Sequence, residues 1–426
     1  MNIIKYPPVN DWHHLVKRPE NEKVSLYETV KNVFTDVKKE GDAALKKYTL
    51  QFDQVSLTSF TVSEQELFEA ESLVSDELKQ AIIQAKSNIE KFHFSQKEKK
   101  KIIEIQPGIE CWRESRAIEK VGLYIPGGSA PLFSTVLMLG VPATIAECKE
   151  IVLCTPPNKE GKIHPAILYA AKTIGIKNIY KIGGVQAIAA MTIGTESISP
   201  VYKIFGPGNQ YVTAAKQYAQ EFKVSIDLPA GPSEVLVVAD SSANPAYVAS
   251  DLLSQAEHGP DSQVVFLTTD SEILNQTLAE INIQLESLPR KEIAKKALRN
   301  SLGVLLNSLE ECFQLSNLYA PEHLILAIDH AKNYTHSIEN AGSVFLGNYS
   351  CESAGDYASG TNHTLPTNGY ARNYSGVSLD SFYKKITFQE LTKEGLQKIG
   401  NTIELMAEAE ELQAHKNAVS IRLRSN

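Results

Sequence analysis

Two strand–helix repeats follow each other between residues 150 and 194. They read EIVLC (150–154), HPAILYAAKTIG (164–175), NIYKI (178–182) and VQAIAAMTIG (185–194). The shorter pieces are largely apolar, as in strands that are buried on both faces, whereas the longer pieces have apolar residues at helical spacing. Strands that alternate with helices form βαβ units, in which the strands lie parallel in one sheet. This stretch therefore predicts an α/β fold.

A second series of the same kind begins at residue 234. It reads EVLVVAD (234–240), PAYVASDLLSQAEHG (245–259), QVVFLTT (263–269), GVLLN (303–307) and HLILAI (323–328). Because two such series occur, we predict a fold of the α/β class with two Rossmann-like domains, each built on a parallel sheet.

Other segments are expected to surround these domains. Helical spacing predicts helices over 25–48 and 63–92, and alternating apolar residues on both sides of a polar turn predict a hairpin over 104–126. Near the C-terminus the pattern predicts one helix over about 388–412, followed by a short extended tail over 418–426.

Composition and charge exclude several classes of protein. The chain has 426 residues, enough for two or more domains, and its net charge of -8 argues against a nucleic-acid partner. The longest apolar stretch, 136–146, is too short to span a bilayer and contains Pro142, so no membrane association is expected. The five cysteines form an odd count with no CxxC pair, which is typical of reduced thiols and predicts a cytoplasmic location.

Three glycine turns, each between a strand and a helix, are candidate nucleotide-binding loops. They are YIPGGSAP (124–131), GGVQAIAA (183–190) and FGPGNQYVTAAK (205–216). Glycine allows backbone to approach a phosphate, and the N-terminus of a helix favours an anion. None of the three is G-x-G-x-x-G, so each is also consistent with a tight structural turn.

A second set of side chains has the chemistry of metal ligands. Gln255 and His258 are three residues apart on a predicted helix, Asp356 lies in a long polar loop, and Glu410 and His415 lie near the C-terminus. Imidazole and carboxylate groups suit zinc. Spacing alone does not join these residues, and a Gln–His pair of this kind is also compatible with an ordinary helix surface.

The stretch LYAPEHLIL (318–326) places Glu322 beside His323, just before an apolar run. Neighbouring side chains of a strand point to opposite faces of the sheet, so a polar corner before a buried strand is one interpretation. Pro321 favours the other interpretation, because the backbone before a proline adopts an extended or turn conformation. At such a corner both side chains could serve one chemical site.

Eight motifs in this order resemble the histidinol dehydrogenase family, from about residue 24 to the end of the chain. They are YIPGGSAPLFSTVLM, GGVQAIAA, GPGNQYVTAAK, DLPAGPSEVLV, SQAEHGPDS, YAPEHL, AGDYASGTNHTLPT and AHKNAVSIR. The resemblance implies a zinc-dependent, NAD-linked enzyme of histidine biosynthesis. Such an enzyme oxidises L-histidinol to L-histidinal and then to L-histidine with two NAD+. The segment SCESAGDYASG (350–360) departs from the expected pattern before Asp356, which affects the expected conformation of that loop.

The resemblance also implies a role for particular residues of this chain. Those that match the zinc ligands are Gln255, His258, Asp356 and His415. Those that match the general acid–base pair are Glu322 and His323. Those that match substrate contacts, besides the zinc ligands and His323, are Ser233, Glu410 and the neighbourhood of His363. Those that match the NAD contacts are Tyr124, Gln186 and Asn209.

A division into domains and a homodimer complete the expectation. The main domain would comprise 20–122 and 235–378, the inserted NAD-binding domain 123–234, and a small unit the C-terminal segment 379–426 with 1–19. This C-terminal piece has too little apolar surface for a core of its own, so it must pack on another part of the protein. The resemblance implies that this includes a partner subunit, so we expect a homodimer in which the piece is exchanged between subunits. The rival interpretations are a zinc hydrolase without NAD and a non-catalytic metabolite-binding protein.

Overall fold

A computed structural model describes residues 1–18, 24–127, 130–229 and 231–424. Its strands, in chain order, are β1 (Asn2–Lys5), β2 (Ile102–Gln106), β3 (Ile109–Ala117), β4 (Lys120–Tyr124), β5 (Glu150–Thr155), β6 (Asn178–Lys181), β7 (Lys203–Phe205), β8 (Ser225–Ile226), β9 (Glu234–Ala239), β10 (Gln263–Thr268), β11 (Leu302–Leu305), β12 (His323–Ala327), β13 (Ser343–Leu346) and β14 (Tyr383–Leu391).

The α-helices, also in chain order, are α1 (Trp12–Leu15), α2 (Val24–Glu40), α3 (Asp42–Tyr48), α4 (Glu64–Leu73), α5 (Asp76–Phe94), α6 (Phe133–Ile145), α7 (Pro165–Ile174), α8 (Gly184–Ile193), α9 (Gln210–Ala219), α10 (Pro245–Ala256), α11 (Ser271–Ser287), α12 (Lys291–Arg299), α13 (Leu309–Tyr319), α14 (Glu352–Tyr357), α15 (Lys393–Ala409) and α16 (Gln413–Arg424). In the part of the chain so described, none of these helices has both the length and the apolar character needed to cross a bilayer.

The larger sheet has six parallel strands in the order β1-β11-β10-β9-β12-β13. Its central strand β9 is buried along its whole length, and successive side chains enter two different cores. Val235 and Val237 pack with the helices on one face, and Leu236 and Val238 pack with those on the other. This two-sided burial explains why the strand sequences are apolar throughout.

The smaller parallel sheet has the order β6-β5-β4-β7-β8 and is likewise covered on both faces. On strand β5, Leu153 enters one core, while Val152 and Cys154 enter the other. Two parallel sheets with helices on both faces confirm the predicted α/β class.

The helices before this sheet belong to its cover. Helix α2 packs on α8 and α9, α4 packs on α7, and α5 packs on α6. The predicted division instead grouped 20–122 with 235–378, and residues 20–23 of that range lie outside the described residues. The helices between 24 and 94 pack on the smaller sheet because their apolar faces complete its two cores, which contain Phe34 from α2 and Ile89 from α5.

The N-terminal segment also differs from its predicted place. Strand β1 pairs with β11 at the edge of the six-stranded sheet, and Trp12 is buried in the core beneath that sheet. The segment therefore does not form a small unit with the C-terminus. The small unit is instead built from the hairpin β2–β3, which was predicted, and from β14, in an antiparallel sheet of order β14-β3-β2.

The C-terminal segment corrects two further predictions. Residues 383–391 form strand β14, so 388–391 are not the start of a helix, because this segment pairs with β3 along all nine positions and Phe388 stacks on Trp112. Residues 413–424 form helix α16, so 418–424 are helical rather than an extended tail, and 425–426 lie outside the described residues. Helix α16 packs on α15, where a β-carbon on Gly400 would approach Leu423 Cδ1 to 2.6 Å, so this glycine leaves room for the leucine.

Candidate active site

The amino ends of β9 and β12 lie side by side and place His323 against the main chain of Glu234. His323 is the first residue of β12 and is 3% exposed. Its Nδ1 lies 3.1 Å from the carbonyl oxygen of Glu234. A carbonyl oxygen only accepts hydrogen bonds, so Nδ1 carries the proton and donates it. In the neutral imidazole, Nε2 therefore has the free lone pair.

Glu322 is held by the same main-chain position. Its Oε2 accepts a hydrogen bond of 2.8 Å from the backbone N–H of Glu234, and it lies 3.6 Å from His323 Nδ1. The two neighbouring side chains converge because Glu322 precedes the regular strand. The turn before it contains Ala320 in the left-handed region, with φ 54° and ψ 69°. The stretch 318–326 is thus a corner at which both side chains reach one site.

Two helices bring further polar groups to this corner. Glu352 and Asp356 are four residues apart on α14 and so share a face of that helix. Together with His258, which follows the end of α10, they form a group whose possible ligand atoms all lie within 4.8 Å of one another. Asp356 Oδ1 is 3.6 Å from His323 Nε2.

Glu352 was missed by the sequence analysis. Its side chain is buried, and its Oε1 lies 3.9 Å from His323 Nδ1. The polar composition of the surrounding segment predicts a loop, whereas 352–357 form a helix that places Glu352 and Asp356 on one face. Recognising a short helix in ESAGDY would have revealed this residue.

Several buried polar atoms at the site have no hydrogen-bond partner among the residues that the structure describes. Gln255 is fully buried on α10, one turn before His258, and neither its Oε1 nor its Nε2 makes a hydrogen bond. His323 Nε2 and Glu352 Oε2 are also unpaired. Leaving such an atom unpaired costs about 1–3 kcal/mol. Amide, imidazole and carboxylate groups without hydrogen-bond partners can instead act as ligands of a metal ion or contact a polar ligand.

The electrostatics of the site favour a cation. Burial raises the pKa of Glu322 to about 8, and burial also raises the pKa of Glu352. Burial lowers the pKa of His323, but the charges of the nearby carboxylates, led by Glu322, overcome this and raise it to about 10. The raised pKa values of the two acids and of His323 have one cause, which is the concentration of negative charge in a buried volume. A divalent ion would relieve that excess.

His363 borders the same site, and Ser233 precedes Glu234 in the chain. His363 Nδ1 lies 3.0 Å from the carbonyl oxygen of Asp356, and its Nε2 lies 3.0 Å from Thr135 Oγ1. Since Thr135 belongs to α6, this histidine connects the α14 segment with a helix on the smaller sheet. Ser233 is partly exposed and immediately precedes β9.

A cleft of about 1090 Å³ opens at the carboxyl ends of the smaller sheet, and Tyr124, Gln186 and Asn209 all line it. Tyr124 ends β4, and its hydroxyl accepts a 3.0 Å hydrogen bond from the N–H of Gly184, the first residue of α8. Asn209 caps α9. After β4 the chain crosses to β5 on one side of it, whereas β7 lies on its other side, so the order of the strands reverses at β4. Open α/β sheets bind ligands at such a switch point, outside the carboxyl ends of the strands.

The cleft also provides polar groups and close backbone packing. Gln186 is fully buried, with its Nε2 3.4 Å from Asp53 Oδ2, and its Oε1 has no hydrogen-bond partner in the described part of the chain. A β-carbon on Gly127 would lie 2.1 Å from the ring of Pro156, so this glycine is required for the turn itself. Gly128 and Ser129 of the same loop lie outside the described residues. The size, the helix N-termini and the unpaired amide fit a dinucleotide.

The chain does not bring every candidate residue to these sites. Glu410 follows the end of α15 and His415 lies on α16, and both are exposed. Among the residues that the structure describes, the metal-type group at the corner includes neither of them. The fold thus unites His258, Glu322, His323 and Asp356 and leaves the two C-terminal residues apart.

A parallel sheet with a cleft at its switch point, combined with a second sheet that carries a buried acid–base corner, defines a two-domain α/β dehydrogenase. The chain belongs to the histidinol dehydrogenase family, and the model of that family matches residues 16–423. Membership of a dehydrogenase family argues against both alternatives, a zinc hydrolase and a non-catalytic binding protein.

Individual members of the family are similar over almost the entire chain. Histidinol dehydrogenase from Bacteroides thetaiotaomicron is 58% identical over 423 residues, which cover 99% of each chain. The protein of that name from Escherichia coli K12 is 51% identical over 412 residues, covering 96% of this chain and 94% of its own. The crystal structure of histidinol dehydrogenase from Elizabethkingia anophelis has a TM-score of 0.98 and 66% identity, covering 100% of this chain and 98% of that one.

Proposed function

We propose that this protein oxidises L-histidinol to L-histidine by way of L-histidinal, with zinc bound and with two NAD+ consumed, as the last steps of histidine biosynthesis. The observation that carries the proposal is the corner at which Glu322 and His323 share the main chain of Glu234 beside a group of metal-type ligands. The cytoplasmic location suggested by the free thiols stays a prediction.

The residues that would hold zinc are Gln255, His258 and Asp356, with His415 from a second subunit. The first three are consistent with the geometry, because Gln255 lies one turn before His258 on α10, and His258 lies with Asp356 in one compact group. When bound, zinc would supply a Lewis acid that orients and polarises the substrate. Glu352, beside these residues, is placed to contact a positively charged group such as the substrate amine.

The residues that would hold NAD+ are Tyr124, Gln186 and Asn209 in the cleft of the smaller sheet. Their support is the free Oε1 of Gln186 and the N-termini of α8 and α9 at the cleft. When bound, NAD+ would supply the hydride acceptor. The remaining chemistry consists of proton transfers by the protein's own side chains.

His323 and Glu322 would move different protons. In the neutral imidazole, the hydrogen bond to Glu234 keeps the proton of His323 on Nδ1, so Nε2 would be the atom that accepts the proton of the alcohol. Glu322 would deprotonate the water that adds to the aldehyde in the second oxidation. Because both side chains are held by one backbone position, each is oriented before substrate binds.

The direct test is the appearance of NADH absorbance when L-histidinol and NAD+ are added to the purified protein. We expect turnover that disappears after chelation, returns when zinc is restored, and is lost without a change in the circular dichroism spectrum, since both sheets have extensive apolar cores. A chelated protein that is free of metal and fully active would contradict the role of zinc. Absence of NADH from the metal-loaded protein would contradict the function.

A homodimer with exchanged C-terminal segments is the second part of the proposal. Leu405 and Met406 on α15 and Ile421 on α16 are 57%, 61% and 64% exposed, so this pair of helices presents large apolar side chains that a partner could cover. His415 lies on the same pair of helices and is itself exposed. A partner subunit that covers these helices would both bury the apolar residues and receive His415 and Glu410 at its site.

Mixing two inactive variants, His415→Ala and Glu322→Gln, tests this exchange. If the segment acts in the neighbouring subunit, one site of each mixed dimer is intact. Random exchange should then restore about a quarter of the wild-type activity, because half of the dimers are mixed and half of their sites are whole. Each variant alone is the control. Inactivity of the mixture after subunit exchange has been demonstrated would rule out the shared site.

A further inference from the structure

The main chain of Glu234 is the common support of the acid–base pair. Its N–H binds Glu322 Oε2 at 2.8 Å and its carbonyl oxygen binds His323 Nδ1 at 3.1 Å. A small displacement of this one residue would move both reacting side chains together. The contacts that fix Glu234 therefore control the geometry of both side chains.

The side chain of Glu234 lies in a buried ion pair with Arg18. Arg18 Nε is 2.5 Å from Oε1 and its Nη2 is 2.7 Å from Oε2, so the guanidinium binds the carboxylate in a two-pronged arrangement. The side chains are only 13% and 2% exposed. Oε1 also accepts a 3.1 Å hydrogen bond from the N–H of Asn368. Two parallel bonds of this kind define orientation as well as distance.

Arg18 also holds the turn that leads to Glu322. Its guanidinium carbon lies 3.9 Å from the centre of the Tyr319 ring, and its Nη2 is 3.4 Å from the carbonyl oxygen of Ala320. Ala320 has the left-handed backbone conformation that turns the chain into the corner. One arginine from the N-terminal segment therefore contacts both the start of β9 and the turn before β12.

We propose that Arg18 and Glu234 are positioning residues that orient the acid–base pair Glu322 and His323 through the main chain of Glu234. The inference rests on the proposed function, since it assigns these two side chains to the same reaction. Neither Arg18 nor the carboxylate of Glu234 takes part in a proton transfer. Their contribution is to hold the N–H and carbonyl groups of Glu234 where they bind the side chains of Glu322 and His323.

The ion pair has to be removed without leaving a charge buried. Losing one partner alone would leave the other charge buried without a partner, which strongly destabilises the region around it. The double variant Arg18→Met/Glu234→Gln removes both charges and keeps similar volumes. Arg18→Lys keeps the charge but replaces the planar fork with a single ammonium, which cannot form two parallel bonds.

We expect the double variant to fold and to bind zinc but to have a kcat about 100-fold lower, because catalytic groups misplaced by about 1 Å lose on this order of rate. Oxidation of histidinol and of histidinal should fall by similar factors, with KM values near those of the wild type. Arg18→Lys should retain the fold, with a smaller loss of kcat in both reactions. A merely structural pair would instead lower the folded fraction and leave kcat per zinc-loaded subunit unchanged.

The matched control is Lys120→Met. Lys120 forms a 3.0 Å ion pair with Glu150 at the amino edge of the smaller sheet, at the opposite ends of the strands from the cleft. This control should keep the wild-type kcat. A kcat within about twofold of wild type in the double variant would overturn the inference. If the double variant does not fold, an unchanged kcat in Arg18→Lys would overturn the inference instead. An inactive wild-type protein would refute the proposed function instead.

Discussion

Glu322→Gln is expected to slow the oxidation of histidinal by about 10²–10⁴-fold, the usual contribution of a positioned base. Oxidation of the alcohol should be slowed less, because only the second step needs an activated water molecule. The glutamine can still accept the hydrogen bond that Glu234 N–H gives to Oε2, so the corner should keep its geometry. The effect would thus report on proton transfer rather than on folding.

His323→Asn should give the opposite pattern, with the larger loss in alcohol oxidation. The amide nitrogen of asparagine can reproduce the donation from Nδ1 to Glu234, while the group at the position of Nε2 is removed. Supplying histidinol and histidinal separately and measuring NADH for each distinguishes the two steps. Equal losses on both substrates in Glu322→Gln would contradict the assignment of the water-activating role to Glu322.

His258→Asn is expected to reduce turnover by about 10³-fold and to release zinc. A Lewis-acid contribution of about 4 kcal/mol corresponds to this factor, since each 1.4 kcal/mol or so is tenfold in rate. His258 is exposed and follows the end of α10, so the melting temperature should change little. The protein would remain folded and lose its metal.

Zinc content per subunit and the rate of NADH formation measure this loss directly. His330→Asn is a suitable control, because His330 is an exposed histidine that follows the carboxyl end of β12, at the other edge of the same sheet. A His258→Asn protein that retains one zinc ion per subunit and normal turnover would remove His258 from the ligand set.

The positions of the candidate residues divide into those that local sequence predicts and those that depend on distant contacts. Tyr124, Gln186 and Asn209 follow three strands of one parallel sheet, and the carboxyl ends of such strands share an edge, so their meeting at one cleft follows from the βαβ pattern. The Arg18–Glu234 pair had no such signal, and the only local signal for Glu352 was its four-residue spacing to Asp356. They meet His323 only because α14, β9 and the N-terminal segment converge in space.

The alternation of buried strands and amphipathic helices was determined by the sequence itself, because a strand covered on both faces must be apolar throughout and a covering helix must have one apolar side. The family resemblance was likewise carried by motifs that are contiguous in the chain. Only the tertiary structure decided that 383–391 is a strand, that 413–424 is a helix, and that the helices from 24 to 94 cover the smaller sheet. For the strand and for the covering helices, the deciding contacts come from residues far apart in the chain, whereas helix 413–424 packs on the preceding helix α15. In each case packing overrides local periodicity and propensity.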